Sequence, residues 1–258
     1  MLVGTSHPGN VGAAARAMRA MGLRRLVLAA PRDPQVCAHP ETIARASRAD
    51  DVLAAARIVP SLTQALADRT LAIAVSAETR EFGPPAQTPE ACVRLARDEL
   101  AADTAHRVSF VFGAERTGLS IGEVGLCQAL CSIPGETDYQ SLNLAQAVQV
   151  IAYCLRAQAA ETEATQATLA AADTAAAVAA PGATTAPASP HATQAQVEAL
   201  YVHLERALTG IGFLDPRRPK KLMPRLRRLF ARARLETEEV AILRGICTRI
   251  ERLTRASR

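Results

Sequence analysis

The chain has 258 residues, 49% of them hydrophobic and 21% charged, which supplies a sizeable core and excludes wholesale disorder. Aromatic residues make up 3%, with five Phe, three Tyr and no Trp, which argues against a nucleic-acid surface built from stacked rings. The net charge of +5 is unevenly held: residues 1–193 carry 15 basic and 18 acidic side chains, residues 194–258 carry 15 and 7, so the basicity belongs to the C-terminal quarter.

In chain order, short apolar runs alternate with helical patterns up to about residue 158. Strands are predicted at Leu2–Val3, Leu26–Leu28, Ile58–Val59, Leu71–Val75, Val108–Phe112 and Leu130–Ile133. The first lies almost at residue 1, so a short first strand is expected. Helices are predicted between them. Val11–Met21 ends at Gly22, and Ser61–Ala67 opens with Ser61 and Gln64 in capping-box spacing. Thr88–Leu100 opens Thr-Pro-Glu, and a further short helix opens at Ser120 with Glu123. A long helix from Leu142 to about Gln158 carries Leu144, Val148, Ile151 and Leu155 on one face. This alternation predicts an α/β domain over 1–158 with a mostly parallel sheet.

Residues 159–193 turn to Ala and Thr with Pro181, Pro187 and Pro190, and read as a linker. A basic all-helical module is predicted over 194–258, with helices near 194–209, 220–233 and 237–253. The last carries Val240, Leu243, Ile246, Cys247 and Ile250 on one stripe. The six Cys form no CxxC and have no His at ligand spacing, so reduced buried thiols and no metal are expected. No secretory signal and no apolar run long enough to span a bilayer is visible, which predicts a cytoplasmic protein without a membrane segment.

Three stretches of the first domain carry chemistry. Gly4-Thr-Ser-His-Pro-Gly-Asn10-Val-Gly-Ala-Ala-Ala-Arg16 runs from the first strand into the first helix, whose free N–H groups favour an anion. Taken alone it is a tight turn and a solvated Arg. Phe110-Val-Phe-Gly113-Ala-Glu115-Arg116-Thr-Gly118-Leu-Ser120 presents an acid at the C-terminal end of a strand, where open α/β sheets bind ligands. Taken alone it is a turn with an exposed salt bridge. Ile133-Pro-Gly-Glu-Thr-Asp-Tyr-Gln140-Ser141-Leu142-Asn143-Leu144 runs from a strand through a polar loop into an apolar helix, and alone reads as a cap by Ser141. There is no GxGxxG after the first strand, no GxxxxGK[ST] and no GxSxG, so dinucleotide binding, P-loop hydrolysis and an α/β-hydrolase triad are disfavoured.

In order and spacing the three stretches resemble the three motifs of the SPOUT superfamily of knotted RNA methyltransferases, nearest its TrmH-like 2′-O-methyltransferase branch. The tail, from Phe213 through Leu222-Met-Pro-Arg225-Leu-Arg227-Arg228-Leu-Phe-Ala-Arg232-Ala-Arg234 to Glu238-Glu-Val-Ala-Ile-Leu-Arg-Gly245, resembles that of tRNA cytidine/uridine 2′-O-methyltransferases acting at position 32 of the anticodon loop.

The resemblance implies a deep trefoil knot at the C-terminal end of the first domain, S-adenosylmethionine as methyl donor, tRNA as substrate and a homodimer. It implies a catalytic set of Asn10, Arg16, Glu115, Ser141 and Asn143. In that set Arg16, oriented by Asn10 and a substrate phosphate, takes or polarises the 2′-hydroxyl proton, and Glu115 orders the site and meets the substrate ribose. It places the cofactor against Val75, Ser76, Ala77, Gly113, Ile133, Gln140, Ser141 and Leu142. The charge split adds an RNA-binding set of Arg217, Arg218, Lys220, Lys221, Arg225, Arg227, Arg228, Arg232 and Arg234. Two neighbouring readings stay open: a SPOUT enzyme acting on another tRNA position or ribosomal RNA, and a non-catalytic RNA-binding protein on the same fold.

Overall fold

The computed structural model describes residues 1–79, 81, 83–136, 141–173 and 189–256, with the side chains of 163–173 and 256 left out of the description. Seven parallel strands form one sheet in the order β3-β2-β1-β6-β4-β7-β5. They are β1 (Leu2–Val3), β2 (Val27–Ala29), β3 (Arg57–Val59), β4 (Leu71–Val75), β5 (Ala86–Gln87), β6 (Val108–Phe112) and β7 (Ala129–Cys131). Six of them sit within a residue or two of the expected positions. The two-residue β5, which extends the edge beside β7, was not expected because Ala86–Gln87, unlike Leu2–Val3, is not an apolar run.

Both faces of the sheet are covered, as alternation along β4 requires. Leu71 and Ile73 pack on one face with α1 (Pro8–Ala20), α3 (Asp50–Ala54), α5 (Pro89–Ala102) and α7 (Leu144–Asp173). Ala72 and Ala74 face α4 (Leu62–Leu66) and α6 (Ile121–Val124). The α1 helix opens with Pro8 in its first turn and buries Val11, Ala14, Ala15 and Ala17. Small side chains there admit a close neighbour, α2 (Pro40–Ala46): a Cβ on Gly12 would lie 2.1 Å from the Thr42 carbonyl oxygen. Neither α2 nor α3 was expected, since seven and five residues carry too few buried positions to show a period.

The α7 helix buries the expected stripe of Leu144, Val148 and Ile151 and packs on α1 and α5. It continues to Asp173, so helix takes the first part of the stretch expected as linker. Ser61, Thr88 and Ser120 cap α4, α5 and α6, and Ser120 with Glu123 forms a complete capping box.

The C-terminal module is α8 (Gln194–Gly210), α9 (Leu222–Ala233) and α10 (Thr237–Ala256), around a small core of Ala192, Leu200, Leu235 and Val240. On α10, Val240 and Cys247 are buried as expected, but Ile246 is 52% exposed, because α8 covers only part of that stripe.

The module is seated on the first domain by buried polar contacts. The N–H groups of Gln194 and Ala195 bond to the carbonyls of Arg69 and Ala67, and Gln128 donates to the Gln194 side chain at 2.6 Å. Beside them lies the buried carboxylate of Glu99. Arg234, held in the left-handed region at φ 55 by the turn after α9, reaches it at 2.7 Å, and His191 at 2.8 Å. His106 stacks on His191 with ring centroids 5.2 Å apart. Its Nε2 accepts from the His191 N–H at 3.1 Å, which leaves Nδ1–H to donate to the Glu99 carbonyl at 2.9 Å. Ligand atoms of Glu99, His106 and His191 lie within 4.8 Å of one another, but both His106 nitrogens are engaged and a guanidinium stands against the carboxylate.

Removing one partner of a buried pair strands the other charge. Arg234→Ala is expected to lower stability by about 3–5 kcal/mol. The double variant with Glu99→Ala should lose less than the two single losses added together. Urea unfolding of the full chain measures both, and a loss below about 1 kcal/mol, the value of an exposed pair, would remove Arg234 as an anchor.

Candidate active site

The three chemical stretches converge at the C-terminal ends of β1, β6 and β7, where a parallel sheet binds ligands. Their meeting point is the Glu115 carboxylate. Oε1 accepts from Thr5 Oγ1 at 2.8 Å, from the His7 N–H at 3.2 Å and from Asn10 Nδ2 at 3.2 Å. Oε2 accepts from the Ser6 N–H at 3.1 Å and Ser6 Oγ at 3.2 Å.

A carboxylate only accepts, so Asn10 must present its NH2 to Glu115 and its carbonyl outward. That carbonyl accepts from Asn143 Nδ2 at 3.0 Å, and Asn143 Oδ1 accepts the Ala145 N–H at 2.9 Å. One chain of hydrogen bonds thus runs from the second stretch through the first to the third.

Several expectations are corrected by this arrangement. The anion at the start of α1 is the protein's own Glu115, which takes the Ser6 and His7 N–H groups. The exposed salt bridge considered for the Glu115 turn is replaced by these five donors. Asn143, and not Ser141, caps α7. Five donors already meet the roughly four lone-pair positions of the carboxylate, so a ribose hydroxyl would have to compete with them. Asn10 is likewise committed on both ends of its amide. Thr5 and Ser6, absent from the expected set, supply three of the five bonds to Glu115. Their only sequence signal is a short polar run between a strand and a helix.

Burial alone raises the Glu115 pKa, but its own backbone, Ser6, Thr5 and Asn10 outweigh burial and hold the carboxyl at about 2. The group is ionised throughout the physiological range and too acidic to take a proton from a hydroxyl.

The turn that carries Glu115 is closed by the Gly118 N–H to Ala114 carbonyl bond at 2.8 Å, with Gly118 at φ 61. A Cβ on Gly113 would stand 2.1 Å from the Gly118 backbone, so only glycine lets the two arms meet.

Beside this turn opens a cleft of about 230 Å³. Val75, Ser76, Ala77, Gly113, Ile133, Ser141 and Leu142 all line it, together with Glu115. Gln140 of the same expected set lies outside the described residues. Ser76 spends its hydroxyl on its own loop, accepting from the Glu78 N–H at 3.1 Å, and its N–H on the Cys131 carbonyl at 3.0 Å. What the cleft offers is shape, small side chains and strand-end backbone, with Phe112, Ile133 and Leu144 as an apolar wall.

Arg16 is not part of the hydrogen-bonded chain. It lies six residues beyond Asn10 on α1, about 9 Å along the axis. It is exposed and makes no side-chain hydrogen bond or ion pair among the described residues.

The nine expected RNA-binding cations fall into groups. Arg227 forms a bidentate pair with Glu198 at 2.5 and 2.7 Å and lies 4.3 Å from the Tyr201 ring centre, and Arg234 holds Glu99, so both serve the module's own structure. Lys221 pairs with Glu81 at 2.7 Å, and Arg228 reaches the Glu81 carbonyl at 3.4 Å. Arg217, Arg218, Lys220 and Arg232 are exposed and make no ion pair among the described residues, and Arg225 is exposed beside them.

Two family models match the chain: the SpoU rRNA Methylase family over residues 1–153 and the TrmJ tRNA methyltransferase C-terminal domain over residues 195–258. The chain is 40% identical over 255 residues to the tRNA (cytidine/uridine/adenosine-2′-O-)-methyltransferase TrmJ of Pseudomonas aeruginosa, covering 99% of this chain and 94% of that one. It is 38% identical to the tRNA (cytidine/uridine-2′-O-)-methyltransferase TrmJ of Yersinia enterocolitica, with 98% and 90% covered. Among solved structures it is similar to TrmJ from Z. mobilis, with a TM-score of 0.76, 30% identity and 97% of each chain covered.

Glu115→Gln replaces an all-acceptor group with one that turns an NH2 toward N–H donors. The variant is expected to be less stable than the wild type at neutral pH. Because the folded pKa of Glu115 lies at about 2, below its ordinary 4.5, its contribution is complete above about pH 4.5 and fades as pH falls toward 2. The stability difference should therefore close over that interval in denaturant unfolding measured at stepped pH. A difference independent of pH would show that the charge is not what matters.

Proposed function

The chain belongs to the SpoU methylase family, and from that membership we propose that it transfers the methyl group of S-adenosylmethionine to the 2′-hydroxyl of cytidine or uridine 32 in the tRNA anticodon loop. The observation that carries this is the Glu115–Asn10–Asn143 chain, whose Glu115 lines the strand-end cleft. The tRNA 2′-O-methyltransferases named above, matched over nearly the whole chain, support the substrate and the reaction.

The residues present fit the cofactor. The cleft pairs small, backbone-rich walls at Ser76–Ala77 and Gly113 with apolar Phe112, Ile133 and Leu144, which suits a ligand with a polar sugar and amino-acid part and a flat base. When bound, S-adenosylmethionine supplies a sulfonium methyl that is already electrophilic. The protein then has to present the hydroxyl and relieve it of its proton. Glu115 is excluded from that step by its low pKa and filled oxygens, and its work is to fix the start of α1 and, through Asn10, the start of α7.

Arg16 is the group left for the hydroxyl. A guanidinium keeps its proton tightly, so its direct contribution is to polarise and place the oxygen, and an RNA phosphate beside it would help it share the proton. Ser141, which lines the cleft, would touch cofactor or substrate.

The trefoil knot and the homodimer belong to the same proposal. Tyr153, 61% exposed on α7, gives that helix an uncovered apolar surface suited to a second copy. No helix among the described residues is long and apolar enough to cross a membrane.

Incubating unmodified tRNA with the protein and S-adenosylmethionine, then mapping 2′-O-methyl groups, is expected to find the mark at position 32. Modification elsewhere with position 32 untouched would reject the site assignment. Arg16→Ala is expected to slow turnover by about 10²-fold or more while leaving S-adenosylmethionine binding unchanged in calorimetry. Wild-type turnover by that variant would remove Arg16 from the reaction.

A further inference from the structure

Where the C-terminal module meets the first domain, a second cavity of about 390 Å³ opens that the methyl-transfer site does not use. Its walls come from Gly83 and Pro84, from α6 and the loop after it, and from the side of α9 bearing Pro224, Arg227, Arg228 and Arg232. Both chain segments on the first-domain side continue from the cofactor cleft. Glu78 and Gly118 line the cleft, and Pro84 and Ile121 stand at the cavity. Gly118 and Ile121 are three residues apart, so their Cα atoms are separated by at most about 11 Å.

The chemistry of the cavity is two-sided. The floor is apolar, from Leu126, Pro84, Pro224 and Ala231. Ile121, at the mouth, is 72% exposed although the capping box of α6 fixes its position. The cationic lining comes from Arg227, Arg228 and Arg232 on α9, the helix that also carries Pro224 and Ala231. Arg228 Nε is buried with no hydrogen-bond partner, which is a costly state for a charged group. Arg232 is exposed without an ion pair among the described residues. Arg227, which helps line the cavity, is held rigid in advance, its edge by Glu198 and one face by the Tyr201 ring.

We propose that this junction cavity is a nucleotide subsite, which takes an unstacked base of the substrate RNA, close to the methylated residue, against the Arg227 plane and the Ile121–Pro84–Pro224 surface, with its phosphate on Arg228 and Arg232. Proteins read single-stranded RNA loops by splaying bases onto aromatic rings or guanidinium planes, and in this aromatic-poor chain the guanidinium takes the ring's place. Charge complementarity selects the occupant: an apolar peptide would bring no anion to Arg228 and Arg232, whereas a nucleotide supplies both a flat apolar base and an anion. The inference rests on the tRNA methyltransferase reading and adds the place where the neighbouring nucleotide is held.

Gly122 gives a test that leaves charge alone. A Cβ there meets only Ser120 Oγ, at 4.0 Å, so Gly122→Leu fits the fold while filling the cavity. In the full-length protein with unmodified tRNA transcript, Gly122→Leu and Arg232→Glu are each expected to raise the tRNA KM about tenfold. The S-adenosylmethionine affinity and kcat should stay at wild-type values. Photocrosslinking from 4-thiouridine placed singly around the anticodon loop should reach Ile121 or Arg228 from one position next to the modified residue, and Gly122→Leu should abolish it. If Gly122→Leu is unstable, the wild-type crosslink carries the test: no crosslink to Ile121 or Arg228 from any anticodon-loop position overturns the subsite. Wild-type KM in both variants, or a raised KM in Arg232→Glu with Gly122→Leu and its crosslink unchanged, overturns the subsite and leaves the methyltransferase standing. Absence of tRNA methylation by the wild-type protein overturns the reading beneath both.

Discussion

The carboxylate of Glu115 is the constraint on which the site depends. Three segments separated by up to 133 residues are tied through it: the Thr5–Asn10 turn directly, and the start of α7 by way of Asn10 and Asn143. An acid half sunk in protein would ordinarily rise in pKa. Here hydrogen bonds from its own backbone, the Ser6 N–H, the Thr5 hydroxyl and the Asn10 amide reverse the sign. The same saturation that keeps Glu115 ionised keeps it out of proton transfer. The Glu115 carboxylate is thereby structural, and Arg16 stands outside the hub.

A second buried acid, Glu99, does for the domains what Glu115 does for the motifs. It gathers Arg234 from the end of α9 and His191 from the chain entering α8, while His106 bridges the two by its backbone partners. The module is therefore attached through a specific polar contact, where orientation matters as much as attraction. Holding α9 against the first domain creates the junction cavity. It also divides the cations of residues 217–234: Arg227 and Arg234 hold the module together, Lys221 and Arg228 lean on residue 81, and Arg217, Arg218, Lys220 and Arg232 face outward. The excess positive charge of the C-terminal quarter overstates its free phosphate-binding capacity for this reason.

Much was legible along the chain because local rules govern it. The long strands β4 and β6, the Leu144–Val148–Ile151 stripe and the caps at Ser61, Thr88 and Ser120 all follow from periodicity or from a side chain bonding three residues ahead. Elements without a period or such a cap left no trace. The α2 and α3 helices and the two-residue β5 owe their form to what they pack against: α2 lies where Gly12 lets a helix approach. Ile246 illustrates the reverse case, a residue in step with a buried stripe that no neighbour reaches.

The sequence by itself determined the alternation of strands and helices, the three motif stretches, the charge division at the end of the chain and the residues that line the cleft. Each of these is a property of neighbours in the chain or of a pattern carried whole. Only the tertiary structure decided which groups are partners. That Glu115 is filled by Thr5 and Ser6, and that Arg227 and Arg234 face acids rather than solvent, are facts about residues 29 to 135 positions apart. A carboxylate or a guanidinium carries the same charge wherever it stands, and its pKa and its availability to a substrate are set by the donors and acceptors that folding brings within 3 Å.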